Sequence, residues 1–405
     1  MLYDMVFEGG GAKGIAFVGA LQELEARSIT PARLMGASAG AIMATFLAAG
    51  YNSVEMADAL NETENDQPVF LGFLEVPGQP TPEELRTSDV RQLLREVNLK
   101  AVPDFLEDPL DDAIVALLSS SERAYRLFSF IDKGGFCAGQ KFLDWLRGKL
   151  NAGTYDLDRG NFGKGRPRQF GEMNLEEFYQ ATGVDLTLMA SDTTAASLLV
   201  LNHRTAPQCP LTASVRMSMS FPLLWQEVVW QPEWGEYRSK DICGHTVVDG
   251  GMLSNFPLEL FISNQKYVIE VMGEKIGDDS TVLGLLIDEN IPVAGAIEPP
   301  APLNRFDFSK LKMVERVAKL INTMTQAHDK EVMEAYEDCV IRLPAKGYGT
   351  IEFGMQNNRR EALVAAGRAA TAAFFNRVEG LETRDLSSEP ILSAVDRISL
   401  RILSE

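Results

Sequence analysis

The chain has 405 residues, of which 45% are hydrophobic and 23% are charged, and its formal net charge is −19. This length allows two or three domains of ordinary size, and the acidic balance argues against a general nucleic-acid-binding surface. The four cysteines, Cys137, Cys209, Cys243 and Cys339, show no C-x-x-C spacing. We therefore expect free thiols in a reducing compartment, no disulfide framework, no metal site and no cofactor.

A glycine-rich loop lies between the first predicted strand, residues 3–7, and the first predicted helix, residues 15–27. Backbone N–H groups in such a loop can approach an anion, because no side chains intervene and the N-terminus of the helix is positive. One alternative is the dinucleotide pattern G-x-G-x-x-G. That pattern requires an acidic residue about 20 positions further on, at the end of the second strand, and this chain has none there. The other is a plain tight turn. The loop residues are Gly9, Gly10, Gly11, Ala12, Lys13 and Gly14.

The N-terminal residues lead directly into a strand, without a basic region or a cleavage site. This predicts the absence of a signal peptide and a cytoplasmic location. Residues 34–54 carry no charge, which raises the alternative of a membrane span. Their small and polar residues favour instead a helix that is buried on all sides in an α/β core.

Gly36-Ala37-Ser38-Ala39-Gly40 has the spacing of a nucleophile elbow, a tight turn from a strand into a helix. Such a turn projects the serine Oγ into solvent, and the small flanking residues prevent collisions across the turn. The backbone N–H of Ala39 would then point to the position where a carbonyl oxygen becomes negative. Ser38 is therefore the candidate nucleophile.

Residues 61–180 have a less regular pattern, which we interpret as a lid or an insert. Within it, residues 70–76 are an apolar stretch that predicts either a lipid-contacting surface or core packing. A loop over residues 151–174 carries a local basic cluster, which predicts either contact with anionic head groups or an ordinary solvated loop. We therefore expect peripheral contact with a membrane. The basic residues are Arg159, Lys164, Arg166 and Arg168.

Asp249 ends a predicted strand and precedes two glycines, Gly250 and Gly251. An aspartate at this position can lie exposed at the carboxyl edge of a parallel sheet, where the Ser38 turn should also lie. The alternative is an ordinary Asp-Gly turn.

The rest of the chain alternates between predicted strands and helices. The remaining predicted strands are 186–190, 198–202, 246–248, 267–272, 282–287 and 340–343. The remaining predicted helices are 88–98, 111–130, 309–337 and 359–377. Residues 291–304 have the prolines of a linker.

A serine nucleophile needs a base, and the chain has only three histidines, His203, His245 and His328. Only His328 follows Asp249, as the order of an α/β-hydrolase triad requires, and its place on the apolar stripe of a helix favours a core or interface role. The simpler interpretation is that Asp249 accepts the proton of Ser38. Burial raises the pKa of a carboxylate and makes it a stronger base.

Three motifs resemble, in this order, the signatures of patatin-like phospholipases: Glu8-Gly-Gly-Gly-Ala-Lys-Gly14, Gly36-Ala-Ser-Ala-Gly40 and Asp249-Gly-Gly251. Residues 216–222 and Asn255-x-Pro257 also resemble that family, in which Asp-Gly-Ala often stands for the third motif. The resemblance covers roughly residues 3–261. It implies an α/β fold with a central, mostly parallel sheet flanked by helices, over residues 1–262, and a mostly helical C-terminal extension over residues 263–405 that continues the α/β body.

The resemblance also implies calcium-independent acyl hydrolysis by a dyad of Ser38 and Asp249, with no histidine. The amides of Gly10 and Gly11 would be the oxyanion donors, and Lys13 would occupy the basic position of the loop. We therefore expect a phospholipase A or lysophospholipase that acts on a phospholipid or another lipid ester. The alternatives are a soluble carboxylesterase and a storage or binding protein with weak esterase activity.

Overall fold

The computed structural model describes residues 2–98, 121–157, 160–276, 281–296, 316, 336–378 and 389–404. Within these ranges, eight strands form one mixed sheet, and two pairs of short strands form small separate sheets. The strands are β1 (Leu2–Phe7), β2 (Thr30–Ala37), β3 (Thr63–Glu64), β4 (Gln67–Pro68), β5 (Gly135–Cys137), β6 (Leu186–Asp192), β7 (Ser197–Leu201), β8 (Leu223–Trp225), β9 (Val228–Val229), β10 (Thr246–Asp249), β11 (Thr281–Pro292) and β12 (Val340–Lys346).

The order of the large sheet is β12-β11-β1-β2-β6-β10-β9, and β7 also pairs with β6. The five strands from β12 to β6 are parallel, whereas β7 and β10 are antiparallel to β6. This mostly parallel sheet confirms the expected α/β fold. It also shows that β11 and β12, from the C-terminal part of the chain, continue the same sheet next to β1. The domain boundary at residue 262 stays a prediction.

Helices cover the sheet. They are α1 (Ala16–Ala26), α2 (Ala39–Ala48), α3 (Ser53–Leu60), α4 (Val69–Gly72), α5 (Pro82–Thr87), α6 (Asp89–Asn98), α7 (Glu122–Asp132), α8 (Gln140–Leu150), α9 (Leu175–Thr182), α10 (Leu211–Ser218), α11 (Glu259–Ile262), α12 (Lys266–Met272), α13 (Asn357–Val378) and α14 (Glu389–Ser404).

Each face of the sheet has its own hydrophobic core. In β1, Met5 and Phe7 belong to one core and Val6 to the other, as the alternation of side chains in a strand requires. The uncharged α2 is buried on all sides from residue 40 to residue 48, which confirms the prediction of a buried helix. None of the helices in the described ranges combines the length and hydrophobicity that a membrane crossing requires.

Helix α13 packs closely against α1, so that the C-terminal part of the chain lies directly beside the glycine-rich loop. A Cβ at Gly19 of α1 would lie 1.8 Å from the carbonyl oxygen of Val364, and one at Gly367 of α13 would lie 2.2 Å from that of Ala16. Both positions therefore require glycine. The close contact of the two backbones places the N-terminal turn of α13 near the sheet edge from which α1 starts.

One predicted element has the wrong type. Residues 267–272, predicted as a strand, lie in the helix α12, and its buried residues are Val268, Val271 and Met272. This spacing of three and four residues is helical, but in so short an apolar run it cannot be distinguished from a strand by pattern alone. The other predicted strands and helices that fall within the described residues have the predicted type. Four predictions lie partly or wholly outside the described residues. They are residues 111–120 of the predicted helix 111–130, residues 297–304 of the predicted linker, residues 309–335 of the predicted helix 309–337 except residue 316, and His328.

Within the apolar stretch of residues 70–76, Phe73 belongs to the core and the other six residues are half-buried. Phe73 is 3% exposed, and its ring contacts the rings of Phe70, Phe142 and Trp145 at centroid distances of 5.2–5.4 Å. The core alternative is therefore confirmed for Phe73. The assignment of residues 61–180 as a lid stays a prediction, although Phe73 and Phe142 of this region are buried.

The basic cluster of the loop 151–174 is divided: Lys164 and Arg166 are exposed, and contact of these two with head groups stays a prediction, whereas Arg168 is buried. Arg168 is 1% exposed and pairs with Glu55, with Nη2 at 2.8 Å from the carboxylate. Its guanidinium also stacks on the ring of Tyr51 at 3.8 Å. Lys164 pairs with Asp156 at 3.3 Å, and Arg159 lies outside the described residues. Arg168 therefore stabilises the fold and is unable to contact a head group.

Replacement of Phe73 by alanine is expected to lower the free energy of unfolding by about 3–5 kcal/mol, because it leaves a cavity in an aromatic cluster. Urea unfolding followed by circular dichroism measures this change. Leu127→Ala is the matched control, since Leu127 of α7 is 47% exposed, and it should change the free energy by no more than about 0.5 kcal/mol. Equal effects of the two substitutions would contradict the buried position of Phe73.

Candidate active site

Ser38 occupies the turn between β2 and α2. Its backbone has φ 49° and ψ −120°, a conformation that L-residues rarely adopt and that indicates local strain. The turn requires glycine on both sides. A Cβ at Gly36 would lie 2.2 Å from the carbonyl oxygen of Gly40, and a Cβ at Gly40 would lie 2.2 Å from that of Phe7. The residues predicted as an elbow therefore form a tight strand-to-helix turn.

Ser38 and Asp249 meet because β2 and β10 run toward each other along one edge of β6, while β7 occupies the other edge. Ala37 pairs with Met189 in parallel register, and Asp249 pairs with Ala190 in antiparallel register. The ends of the two strands thus lie at adjacent positions of β6. Here Ser38 Oγ donates a hydrogen bond to Asp249 Oδ2 at 2.7 Å.

The position of Asp249 differs from the prediction in two ways. The aspartate was expected at the exposed carboxyl edge of parallel strands, but β10 is antiparallel to β6 and Asp249 is only 4% exposed. Since the two strands end face to face, the turn after β2 shields Asp249 from solvent. The approach from the opposite direction is what brings the carboxylate under Ser38.

Burial changes the acidity of this carboxyl group. It raises the pKa of Asp249 to about 7, although the hydrogen bonds from Ser38 and from the backbone N–H of Gly251 act in the opposite direction. The Gly251 N–H donates to Asp249 Oδ1 at 2.8 Å, so both carboxylate oxygens are engaged. At neutral pH the group is therefore divided between its protonated and ionised forms.

The two glycines after Asp249 allow the chain to turn away from β6. A Cβ at Gly250 would lie 2.3 Å from the carbonyl oxygen of Met189, and one at Gly251 would lie 2.7 Å from Asn255 Oδ1. Glycine at both positions therefore lets the backbone after Asp249 pass close to Met189 of β6 and to Asn255.

The glycine-rich loop packs on the Ser38 turn. A Cβ at Gly9 would lie 3.1 Å from Ser38 Cβ, and one at Gly14 would lie 2.8 Å from Ala39 Cβ. Gly11 has φ +55° and its added Cβ would lie 2.1 Å from the carbonyl oxygen of Thr350. The loop is therefore held between the turn and the C-terminal part of the chain, with its backbone facing Ser38.

Some amides of the loop are already used. The N–H groups of Gly9, Ala12 and Lys13 donate to the carbonyl oxygens of Asn255, Thr350 and Gly10 at 3.3, 2.8 and 3.2 Å. Among the described residues, the amides of Gly10, Gly11 and Ala39 have no hydrogen-bond acceptor. These three N–H groups are accordingly available to an anion.

The side chain of Glu8 has a structural role that no sequence pattern indicates. Asn255 Nδ2 donates to Glu8 Oε1 and to the carbonyl oxygen of Gly9, both at 3.0 Å. The other carboxylate oxygen of Glu8 accepts the backbone N–H of Ile287 in β11. Lys13, placed by resemblance in the basic position of the loop, pairs with Glu289 of β11. These contacts anchor the loop from both sides.

Residues 216–222, which entered the sequence analysis only through the resemblance, contact both strand ends. Ser218 Oγ accepts the backbone N–H of Ser38 at 3.0 Å, and the carbonyl oxygen of Ser220 accepts the N–H of Asp249 at 3.0 Å. One short segment thus holds the backbone of both residues. No periodicity in the sequence indicates these two contacts.

Ser38 lies in the wall of a pocket whose space, with the open solvent at its mouth included, is about 890 Å³. Gly11, Ala12, Gly14 and Ala39 also line it, and most of the remaining lining is apolar. The charged residues in the lining are Glu352 and Arg360. The apolar side chains include Ile42, Met43, Phe70, Phe73, Phe142 and Phe353.

A model of the patatin-like phospholipase family matches residues 5–262, which is more than half of the chain. The chain belongs to the patatin-like phospholipase family. The match includes all three motifs and ends before β11, β12 and α13.

Three known proteins are similar to this patatin-like chain in sequence or in fold. It is 26% identical over 384 residues to YqhO of Bacillus subtilis (strain 168), a protein described as uncharacterized, with 93% of this chain and 99% of YqhO aligned. The crystal structure of VipD from Legionella pneumophila matches at 16% identity and a TM-score of 0.42, covering 99% of this chain and 75% of VipD. The type III effector ExoU of Pseudomonas aeruginosa matches at 15% identity and a TM-score of 0.38, covering 98% of this chain and 59% of ExoU.

Two histidines of the patatin-like protein are described, and neither lines the pocket. His245 Nδ1 lies 2.7 Å from Asp192 Oδ2, and the ring of His203 stacks on that of Tyr179 at 3.6 Å. Both are therefore explained by contacts away from Ser38. In the described part of the chain, no group of three His, Cys, Asp or Glu side chains could hold a metal ion.

The raised pKa of Asp249 predicts a change of stability with pH. A carboxyl group whose native pKa is raised stabilises the fold while protonated, so this contribution is complete below its unfolded pKa of about 4 and is lost as pH rises through about 7. Asp249→Asn removes the titration and keeps the shape. We expect the variant to exceed wild type in Tm at pH 8, and by a smaller margin at pH 5.

Thermal unfolding at a series of pH values measures this difference. Asp58→Asn removes the same charge from the exposed surface of α3 and should show no gain that grows with pH. A Tm difference for Asp249→Asn that is independent of pH would contradict the buried, titrating carboxyl group.

Proposed function

We propose that the protein is a lipid acyl hydrolase that cleaves carboxylic esters through Ser38 and Asp249. The observation that carries this proposal is the 2.7 Å hydrogen bond from Ser38 Oγ to Asp249 Oδ2, made in the wall of an apolar pocket. Membership in the patatin-like phospholipase family supports lipid esters as the substrate class.

In the first half of the reaction, Ser38 Oγ attacks the ester carbonyl carbon while the ionised Asp249 accepts the hydroxyl proton. The tetrahedral intermediate collapses with cleavage of the bond to the alcohol oxygen, and Asp249 returns the proton to the departing alcohol. The product is an ester between Ser38 and the acyl group. Water then attacks this acyl-enzyme, with Asp249 again accepting a proton, and the fatty acid leaves as Ser38 regains its own proton.

The negative charge that develops on the carbonyl oxygen needs donors that are already oriented. The N–H groups of Gly10, Gly11 and Ala39 are the candidates, since they have no acceptor among the described residues, and Gly11 and Ala39 line the pocket together with Ser38. Gly9, Ala12, Lys13 and Gly14 complete the loop, although the amides of the first three are already bonded. In this proposal the loop is an oxyanion hole, and Glu8 and Asn255 position it.

The pocket supports a long apolar acyl group. Burying apolar surface contributes about 25 cal/mol for each Å² removed from water, so a lining of phenylalanine, methionine and isoleucine side chains favours a hydrocarbon chain. This supports a phospholipase or lysophospholipase over an esterase for small polar substrates. Because Phe73 and Arg168 are buried, contact with a membrane surface would depend on other residues than those two.

Ser38→Ala and Asp249→Asn are each expected to reduce hydrolysis by several orders of magnitude, and the double variant should be little worse, because the two groups act as a unit. The assays are hydrolysis of p-nitrophenyl octanoate and release of fatty acid from phosphatidylcholine vesicles in the presence of a chelator. His245→Ala is the control and should keep its activity. Circular dichroism verifies that each variant folds.

Substantial activity in either single variant would contradict the dyad. Hydrolysis of the soluble ester without release of fatty acid from vesicles would favour the carboxylesterase alternative. Absence of both activities in wild type would favour a storage or binding protein.

The rate should also depend on pH through Asp249. Only the ionised carboxylate can accept the proton of Ser38, and its pKa is about 7, so kcat/KM should fall by about tenfold for each pH unit below this value. The measurement is kcat/KM for a neutral ester between pH 5 and pH 9. A constant value down to pH 5 would exclude Asp249 as the base.

A further inference from the structure

Arg360 lies in the first turn of α13 and lines the same pocket as Ser38. The side chain is buried, with an exposure of 4%. Its Nη1 donates to Asn61 Oδ1 at 3.1 Å, and no carboxylate of the described residues pairs with the guanidinium. Residue 360 lies outside the range that matches the family, so this feature belongs to the C-terminal part of the chain.

The other buried arginines of the described ranges have more partners. Arg33 pairs with Asp4 at 2.6 Å and Arg168 with Glu55 at 2.8 Å. Arg359, the neighbour of Arg360, pairs with Glu352 at 2.9 Å, so the acidic residue of the pocket lining is already neutralised. Arg216 donates to Ser220 and to two carbonyl oxygens. Arg360 therefore combines burial with the fewest bonds.

A mostly buried cation without an anionic partner is unfavourable, because it loses much of its hydration and no anion replaces the water. Burial lowers the pKa of Arg360, with no contribution from a nearby charge. A guanidinium offers five N–H donors, and Arg360 uses one of them on Asn61. The remaining donors are left for a group that enters the pocket.

We propose that Arg360 binds an anionic group, a carboxylate or a phosphate, carried by the ester that reacts at Ser38. This inference rests on the proposed function and adds a preference for charged esters to it. A guanidinium binds either group through two parallel hydrogen bonds, and among the described residues Arg360 is the only cation in the lining of the pocket. The substrate would then have an apolar portion along the pocket and a negative charge at Arg360.

A binding measurement tests this proposal without requiring turnover. The probes are octanoate, octyl phosphate and the uncharged octanol, and their Kd values are measured by calorimetry on full-length protein with Ser38→Ala. At least one anionic probe should bind more tightly than octanol. Adding Arg360→Gln or Arg360→Met should weaken that probe by about tenfold or more relative to octanol, because a hydrogen-bonded charge pair is lost.

Arg368→Gln is the matched control. It removes one positive charge from the same helix, but its side chain is 55% exposed and pairs with Glu23 at 3.4 Å. It should leave the preference for the anionic probe unchanged. Arg360→Lys keeps the charge without the planar fork and should restore part of the preference that Arg360→Gln removes.

Kinetics with matched esters distinguishes the two sources of charge. The p-nitrophenyl esters of octanoate and of suberate differ in an end carboxylate on the acyl chain, and 1-octanoylglycerol and its 3-phosphate differ in a phosphate on the alcohol. Loss of Arg360 should lower kcat/KM for the charged member of one pair relative to its neutral partner, mainly through KM. A preference in the first pair identifies a carboxylate as the ligand, and one in the second pair identifies a phosphate.

A purely structural role for Arg360 makes a different prediction. Arg360→Met removes an unpaired buried charge, so Tm should stay equal or rise while the anion preference falls. Equal binding of anionic and neutral probes by wild type, or a preference that survives both neutral replacements, would overturn the proposal. If the Arg360 proposal fails, hydrolysis of neutral esters would still support the proposed function of Ser38. If wild type hydrolyses no ester, the proposed function fails, but the measured preference for an anionic probe would still support binding at Arg360.

Discussion

The site depends on one constraint in the sheet, which is that β6 pairs with two strand ends along the same edge. Met189 and Ala190 are consecutive residues of β6, and they fix the ends of β2 and β10 against each other. Because backbone pairing sets this position, the contact between Ser38 and Asp249 does not rely on flexible side chains. The glycines around Ser38 follow from the turn itself, since an added Cβ at Gly36 or Gly40 would meet the backbone of Gly40 or of Phe7.

The same constraint determines the electrostatics. A carboxylate at the end of an antiparallel strand, under a strand-to-helix turn, is shielded from water, so its charged form is disfavoured. The bonds that Asp249 receives from Ser38 and Gly251 compensate only in part, and its pKa stays near 7. Such a group is protonated and ionised in comparable amounts at neutral pH, which suits a group that accepts and returns a proton.

The loop that faces Ser38 is stabilised by parts of the chain that are distant in sequence. Glu8 joins β1 to β11 and to Asn255, while the carbonyl oxygen of Thr350 accepts the Ala12 N–H. Residues beyond 262 therefore contribute both to the anchoring of the loop and to the wall of the pocket. Through Arg360, the same C-terminal part brings a positive charge into a mostly apolar lining.

The sequence alone predicted the mostly parallel α/β fold and the tight turns that contain glycine. It also predicted that Asp249 acts as the base for Ser38, and the hydrogen bond between the two side chains is consistent with that role. The fold class and the glycine turns are local features, since a tight turn needs glycine at particular spacings and a strand or helix shows its period within a few residues. The order of the motifs along the chain carried the family resemblance, which the family match confirms.

Only the tertiary structure decided features that depend on contacts between distant segments. Residues 267–272 form a helix, because a short apolar run has no period long enough to distinguish the two structures and its packing decides. Phe73 and Arg168 are buried for a similar reason, as their aromatic and acidic partners come from other elements. The antiparallel approach of β10, the bridging role of Glu8 and the single bond of Arg360 are likewise invisible in sequence, because burial and pairing are properties of the space between segments.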